Sequence, residues 1–118
     1  MNFSNTLNQW ILAVSSQDMC SILELYADDG VLLGTYSNHI RQGKEEIQLY
    51  FEKFLTKKPK AKIIKSTINH LADDSCVING FYDFEIEGGK VVNARFSFVF
   101  KAINNSIKIV AHHSSILP

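Results

Sequence analysis

The segment Ile107-Lys108-Ile109-Val110-Ala111-His112-His113-Ser114-Ser115-Ile116-Leu117-Pro118 passes from an apolar strand pattern straight into two imidazoles and two hydroxyls. Imidazole titrates near neutrality, so either histidine is a candidate general base or a hydrogen-bonding seat for a polar ligand. Strand side chains alternate between faces; His112 and His113 therefore cannot share one, and one of them is expected to point inward. The competing reading is a structural histidine whose ring nitrogens are satisfied by neighbours. No carboxylate lies beside the pair, so a Ser-His-Asp arrangement would need Asp83 or another distant acid.

Proton transfer at a carbonyl compound requires a buried carboxylate base and an oxyanion donor. Asp28 and Asp29 read as the turn after a helix, Asp73 and Asp74 as a hairpin turn, and Glu85 and Glu87 as strand-edge surface. That leaves Asp83, which shares a strand phase with Val77 and Phe81 and otherwise reads as a solvent-facing strand residue. The hydroxyls of Tyr26, Tyr36, Tyr50 and Tyr82 could orient a ligand, although Tyr26 and Tyr50 fall on core stripes. Arg41 and Arg95 stand apart from the lysine-rich run at 53–65, and Arg95 alternates with Ser97 on a strand that lines either a pocket or a dimer face. His39 and His70 join no metal-ligand spacing, so no metal and no cofactor is expected. Cys20 and Cys76 sit in apolar periodic segments and are expected to be buried free thiols.

Elements to position these groups can be read from periodicity. Leu7, Trp10, Ile11 and Val14, then Met19, Ile22, Leu23 and Tyr26, then Ile47, Tyr50, Phe51 and Phe54 form three apolar helix stripes. Ser4 and Asp18 are the expected N-caps of the first two; Gly43 precedes the third and Pro59 follows it. Gly30-Val31-Leu32-Leu33-Gly34 marks a short strand, with room for a second before Gly43. From Ala61 the alternation becomes two-fold, and Asp73-Asp74, Gly88-Gly89 and Asn104-Asn105 divide the remainder into four antiparallel strands. Val92, Ala94, Phe96, Phe98 and Phe100 share one strand face, which helices or a second subunit must cover. The expected class is α+β, a single domain over 1–118.

Bulk properties exclude several classes. The chain has 118 residues, 46% hydrophobic and 20% charged, a composition suited to one folded domain with its own core. Twelve basic and twelve acidic residues leave no net field for nucleic acid or anionic lipid, and Lys53, Lys57, Lys58, Lys60, Lys62 and Lys65 read as a solvated helix end. No apolar run approaches membrane-spanning length, and Met1-Asn2-Phe3-Ser4 lacks a basic region followed by an apolar stretch, so a cytoplasmic location is expected.

This arrangement, with Leu25-Tyr26-Ala27-Asp28-Asp29-Gly30-Val31-Leu32-Leu33, Tyr50-Phe51 and the closing Ile109-Val110-Ala111-His112-His113-Ser114-Ser115, resembles the nuclear transport factor two-like superfamily over essentially the whole chain. It is most similar to bacterial relatives of the calcium/calmodulin-dependent protein kinase II association domain, with the SnoaL-like proteins as a sibling group. The resemblance implies a cone-shaped, curved antiparallel sheet wrapped round the three helices, a pocket at its open end, and dimers or larger rings. It sets His113 at the second histidine of the hub motif, with Ala111 in place of the first. Ser114 and Phe98 stand where hub domains carry pocket arginines, and losing both guanidiniums removes the bidentate donors for a carboxylate.

The expected function is a homo-oligomerising association-type domain with a more apolar small-molecule pocket drawn from His113, His112, Ser114, Tyr36, Arg41, Arg95 and Phe98. The alternative is a SnoaL-like isomerase, cyclase or hydratase acting on a small carbonyl compound, with His113, His112 or Asp83 as base. Expected partners are further copies of the chain and a small molecule, with neither nucleic acid nor membrane.

Overall fold

The computed structural model describes residues 2–118. Three helices precede or interrupt the first strands: α1 (Phe3–Ser15), α2 (Met19–Leu25) and α3 (Lys44–Phe54). The first is capped by Asn2, whose side-chain oxygen accepts the Asn5 N–H at 3.0 Å; Ser4, the expected cap, already lies inside the helix. Asp18 caps α2 as its position suggests, accepting the Ser21 N–H at 3.1 Å and the Ser21 hydroxyl at 2.7 Å. Gly43 enters α3 at φ +89°, a backbone region that side chains disfavour. A 3-10 turn, Leu55–Lys57, extends α3 before Lys58 reverses the chain at φ +50° ahead of Pro59.

The strands are β1 (Tyr26–Leu33), β2 (Arg41–Gln42), β3 (Lys60–Ala72), β4 (Ser75–Glu85), β5 (Val91–Ile103) and β6 (Ser106–Ile116). Tyr26 thus opens a strand instead of closing the second helix, and the segment before α3 holds two strands. The last four form the expected meander, turning at the three predicted sites. Strand order is β2-β1-β6-β5-β4-β3. All neighbours are antiparallel except β1 and β6, whose parallel pairing brings the first long strand beside the last.

The helices pack on one face of this sheet. Val92, Ala94, Phe96, Phe98 and Phe100 are all buried there, against Phe3, Leu7, Trp10, Val14, Ile22, Ile47, Phe51 and Phe54. Gly80 lies in the same inward phase, between Ser66 and Phe96, where a Cβ would run into the Lys65 carbonyl and approach the Phe96 ring within 2.9 Å. Its missing side chain lets β3 and β5 close on β4. Among the described residues, no element of the fold covers the opposite face. Of the cysteines, Cys76 is buried as expected, but Cys20 is exposed because it falls on the outer side of the short α2.

Phe98 is fully buried. Phe98→Ala is expected to cost about 3–5 kcal/mol in urea denaturation, the range for a truncated core aromatic. A loss below about 1 kcal/mol would mean that its site had collapsed or lay open to solvent.

Candidate functional site

A one-residue irregularity decides which closing histidine faces inward. Phe100 pairs with Ile109 and Val99 with Ala111, so Val110 is an extra residue in β6. Ile109 is buried before this bulge; after it the phase has flipped, and His112 and Ser114 are buried while His113 is exposed. Residues 27–30 of β1 bulge beside the same point, between the Tyr26–Ile109 and Val31–Ala111 pairs.

His112 lies flat on Phe98, ring centroids 3.8 Å apart at 14°, with the Trp10 edge 5.2 Å away. Both ring nitrogens are occupied: Tyr26 hydroxyl is 2.8 Å from Nδ1 and Tyr82 hydroxyl 3.2 Å from Nε2. The Trp10 indole N–H donates to the Tyr26 hydroxyl at 3.1 Å. Tyr26 therefore has its own proton free to donate to Nδ1, which makes Nε2–H the donor toward Tyr82. Beside Tyr82 in the same interior, the buried Ser114 hydroxyl meets Thr35 Oγ1 at 2.5 Å. The Tyr50 hydroxyl donates to the Thr35 carbonyl at 3.0 Å, and Gly34 lets the Tyr50 ring pass close beside the backbone. Trp10, Tyr26, His112 and Tyr82 are one continuous hydrogen-bonded line through the core, with the Ser114–Thr35 pair buried beside it.

Burial sets the electrostatics of this line. It drives the His112 pKa down to about 3, with a smaller push from neighbouring His113, so the ring is neutral at ordinary pH. Burial also raises the phenols of Tyr26, Tyr50 and Tyr82 above their usual value. These groups donate and accept hydrogen bonds without ionising. The void among Trp10, Leu32, Tyr50, Phe51, Phe54, Tyr82, Phe84, His112 and Ser114 measures about 10 Å³, at the lower limit for one water molecule. Side chains of the protein fill the interior of the cone.

The residues singled out in the sequence fall in three places. His112, Ser114 and Phe98 are in the sealed interior, with Tyr26 and Tyr82. His113 and Arg95 lie on the outer face of the sheet with Lys65, Asn79, Phe81, Ser97 and Ser115, around a shallow cavity of about 470 Å³. Asp83 is also in this outward phase and accepts from Asn93 Nδ2 at 2.7 Å. The buried polar residues among those described are Thr6, Thr35, His112 and Ser114, so the interior line includes no carboxylate base. Tyr36 and Arg41 line a third region, a cavity of about 400 Å³ between the 35–41 segment and the end of α3. Thr35, which sequence reasoning passed over, pairs with Ser114 in the interior, while Lys53 and Lys57, read from the sequence as part of a solvated helix end, line this cavity.

Comparison with known proteins accounts for the architecture. The model of the calcium/calmodulin dependent protein kinase II association domain family matches residues 2–118. The chain belongs to this family. A solved putative association domain from Xanthomonas campestris is 42% identical, with a TM-score of 0.89 over 95% of this chain and 83% of that one. More distant likenesses show the fold alone. A nuclear transport factor two-like protein of unknown function from Pseudomonas putida is 17% identical, with a TM-score of 0.86 over 97% of this chain and 83% of its own. A putative ketosteroid isomerase from Parabacteroides distasonis is 18% identical, with a TM-score of 0.79 over 94% and 84% of the two chains. No curated protein matches this association domain.

The buried imidazole gives a pH signature. His112 has a folded pKa of about 3, against about 6.5 when unfolded, so the unfolded chain binds the proton more tightly. Its contribution to stability is complete above about 6.5 and declines as pH falls toward about 3, at up to roughly 1.4 kcal/mol per unit. Urea denaturation at pH 6.5 and 5.0 should show a loss of about 2 kcal/mol that is largely absent in His112→Gln. An equal pH slope in the two proteins would show that His112 is not the group responsible.

Proposed function

We propose that this association domain works by self-association, with two or more copies meeting through the uncovered sheet face, and that it carries a small-molecule pocket away from that face. The supporting observation is the outward face of β4, β5 and β6, strands of 11, 13 and 11 residues. With β3 beside them, strand rise and spacing make this a face of roughly 36 by 19 Å, comparable with the ~800 Å² that each partner contributes to a standard interface.

Its chemistry suits a second copy of the chain. Phe81 is 42% exposed and Leu33 also 42%, with half-buried Val77, Val99 and Ala111 in the same phase. Several of the polar groups between them are already paired: Ser97 with Asn79 at 2.5 Å and Arg95 Nε with Ser115 at 3.2 Å. Covering satisfied polar groups costs far less than covering unpaired ones. The pocket reading is supported by the cavity around Tyr36 and Arg41, since the cone interior has no comparable volume. Cys20 and Cys76 are free thiols, which suits a cytoplasmic setting.

Light scattering after gel filtration at micromolar concentration should give a dimer or larger species. Phe81→Glu combined with Ala111→Glu should give a monomer with an unchanged far-UV spectrum. A wild-type protein that is monomeric throughout that range rejects self-association.

A further inference from the structure

The cavity beside the end of α3 gathers three cations. Its lining holds Arg41, Lys53 and Lys57, with His39, the hydroxyls of Ser37 and Thr56, and the rings of Tyr36, Tyr50 and Phe54. No carboxylate lines it. Arg41 comes from β2 and its side chain is 15% exposed. Its Nη1 donates to Glu46 Oε1 at 3.1 Å, while its buried Nε–H has no protein partner. A buried guanidinium donor left unpaired is costly unless something else accepts from it.

The bland reading assigns the lysines to the C-terminus of α3, where cations complement the helix dipole. Magnitude limits that reading. A helix end carries about half a negative charge. With Glu46 matched to Arg41, three cations against that end leave a surplus of roughly one and a half positive charges. Tyr36 is held at φ +68°, a region unusual for a residue with a large side chain, and Lys57 Nζ stands 5.4 Å from the centre of its ring. One aromatic wall is thus fixed beside the cationic patch.

We infer that this cavity binds a small phosphate monoester, the phosphate taken by Arg41, Lys53 and Lys57 and the organic part lying against Tyr36. A phosphate monoester carries about −1.5 to −2 charges at neutral pH, which matches the surplus, and its oxygens accept from a guanidinium edge and from ammonium groups together. The inference rests on the pocket proposed above and adds its place and ligand class; it is independent of self-association.

The test is nuclear magnetic resonance titration of the full chain with inorganic phosphate, phenyl phosphate and phenol at fixed ionic strength in chloride buffer. Phosphate and phenyl phosphate should shift the amide signals of residues 35–41 and 53–57 saturably. Lys57→Gln and Arg41→Gln should each weaken phenyl phosphate at least fivefold, and Lys101→Gln, on the distant end of β5, should leave it unchanged. Phenol binding at these residues as tightly as phenyl phosphate overturns the phosphate assignment and leaves the pocket standing. Absence of shifts with all three probes overturns both. Undiminished binding in folded Lys57→Gln and Arg41→Gln proteins removes these cations from the site.

Discussion

The neutral imidazole of His112, held between two phenols and pressed on Phe98, is the constraint on which the interior depends. Each polar atom in the line has a partner only because the others are in place. Trp10 comes from the first helix, Tyr26 from the first strand, Tyr82 from the fourth and His112 from the sixth. Removing one member exposes the others to the desolvation cost of an unmade hydrogen bond, so the line specifies how helix and sheet dock as well as stabilising them. An apolar core alone would tolerate several rotations of α1; the Trp10 indole N–H finds its acceptor in one.

The same arrangement fills the interior of the fold with side chains. Proton transfer at a carbonyl compound needs a carboxylate and room for a substrate within the cone. Here Trp10, Tyr50, Phe51, Phe54, Tyr82 and Phe84 occupy the room, and the acid that sequence made most plausible, Asp83, faces the other way with Asn93. Open volume has moved outward, to the sheet's free face and to the cationic cavity by α3.

Much of the fold was legible because its periodicities are strong. The alternation of phenylalanines on β5 named its buried face, and paired Asp, Gly and Asn residues named the three hairpins. What escaped was phase. A single extra residue at Val110 reverses β6, and nothing in Ile109-Val110-Ala111 distinguishes a bulge from regular strand. The resemblance to hub domains matched His113 to the second histidine of their motif and left open which of the pair turns inward; backbone register sends His112 there. Tyr26 was misassigned for a related reason: it continues the helical spacing of Met19, Ile22 and Leu23, but its side chain is required by Trp10 and His112 from the first position of a strand. The candidate site was legible only in pieces. Tyr36 and Arg41 could be named, whereas Lys53 and Lys57 looked like ordinary helix-end lysines until α3 was seen to end over the 35–41 segment.

The parallel pairing of β1 with β6 has a consequence for how the chain comes to be folded as it is made. Tyr26 meets Ile109 and His112 across more than eighty residues, so its hydroxyl, which accepts from Trp10 within the α1–β1 unit, has no imidazole to donate to until β6 has been made. Until then the inward faces of β4 and β5 bear Tyr82, Phe84, Phe96, Phe98 and Phe100 beside an unpaired edge. Long-range closure of this kind is slow and leaves apolar strand surface exposed to other nascent chains. Closure comes with the His112 segment, so the strand that follows all the others of this domain in chain order is the one that completes the core.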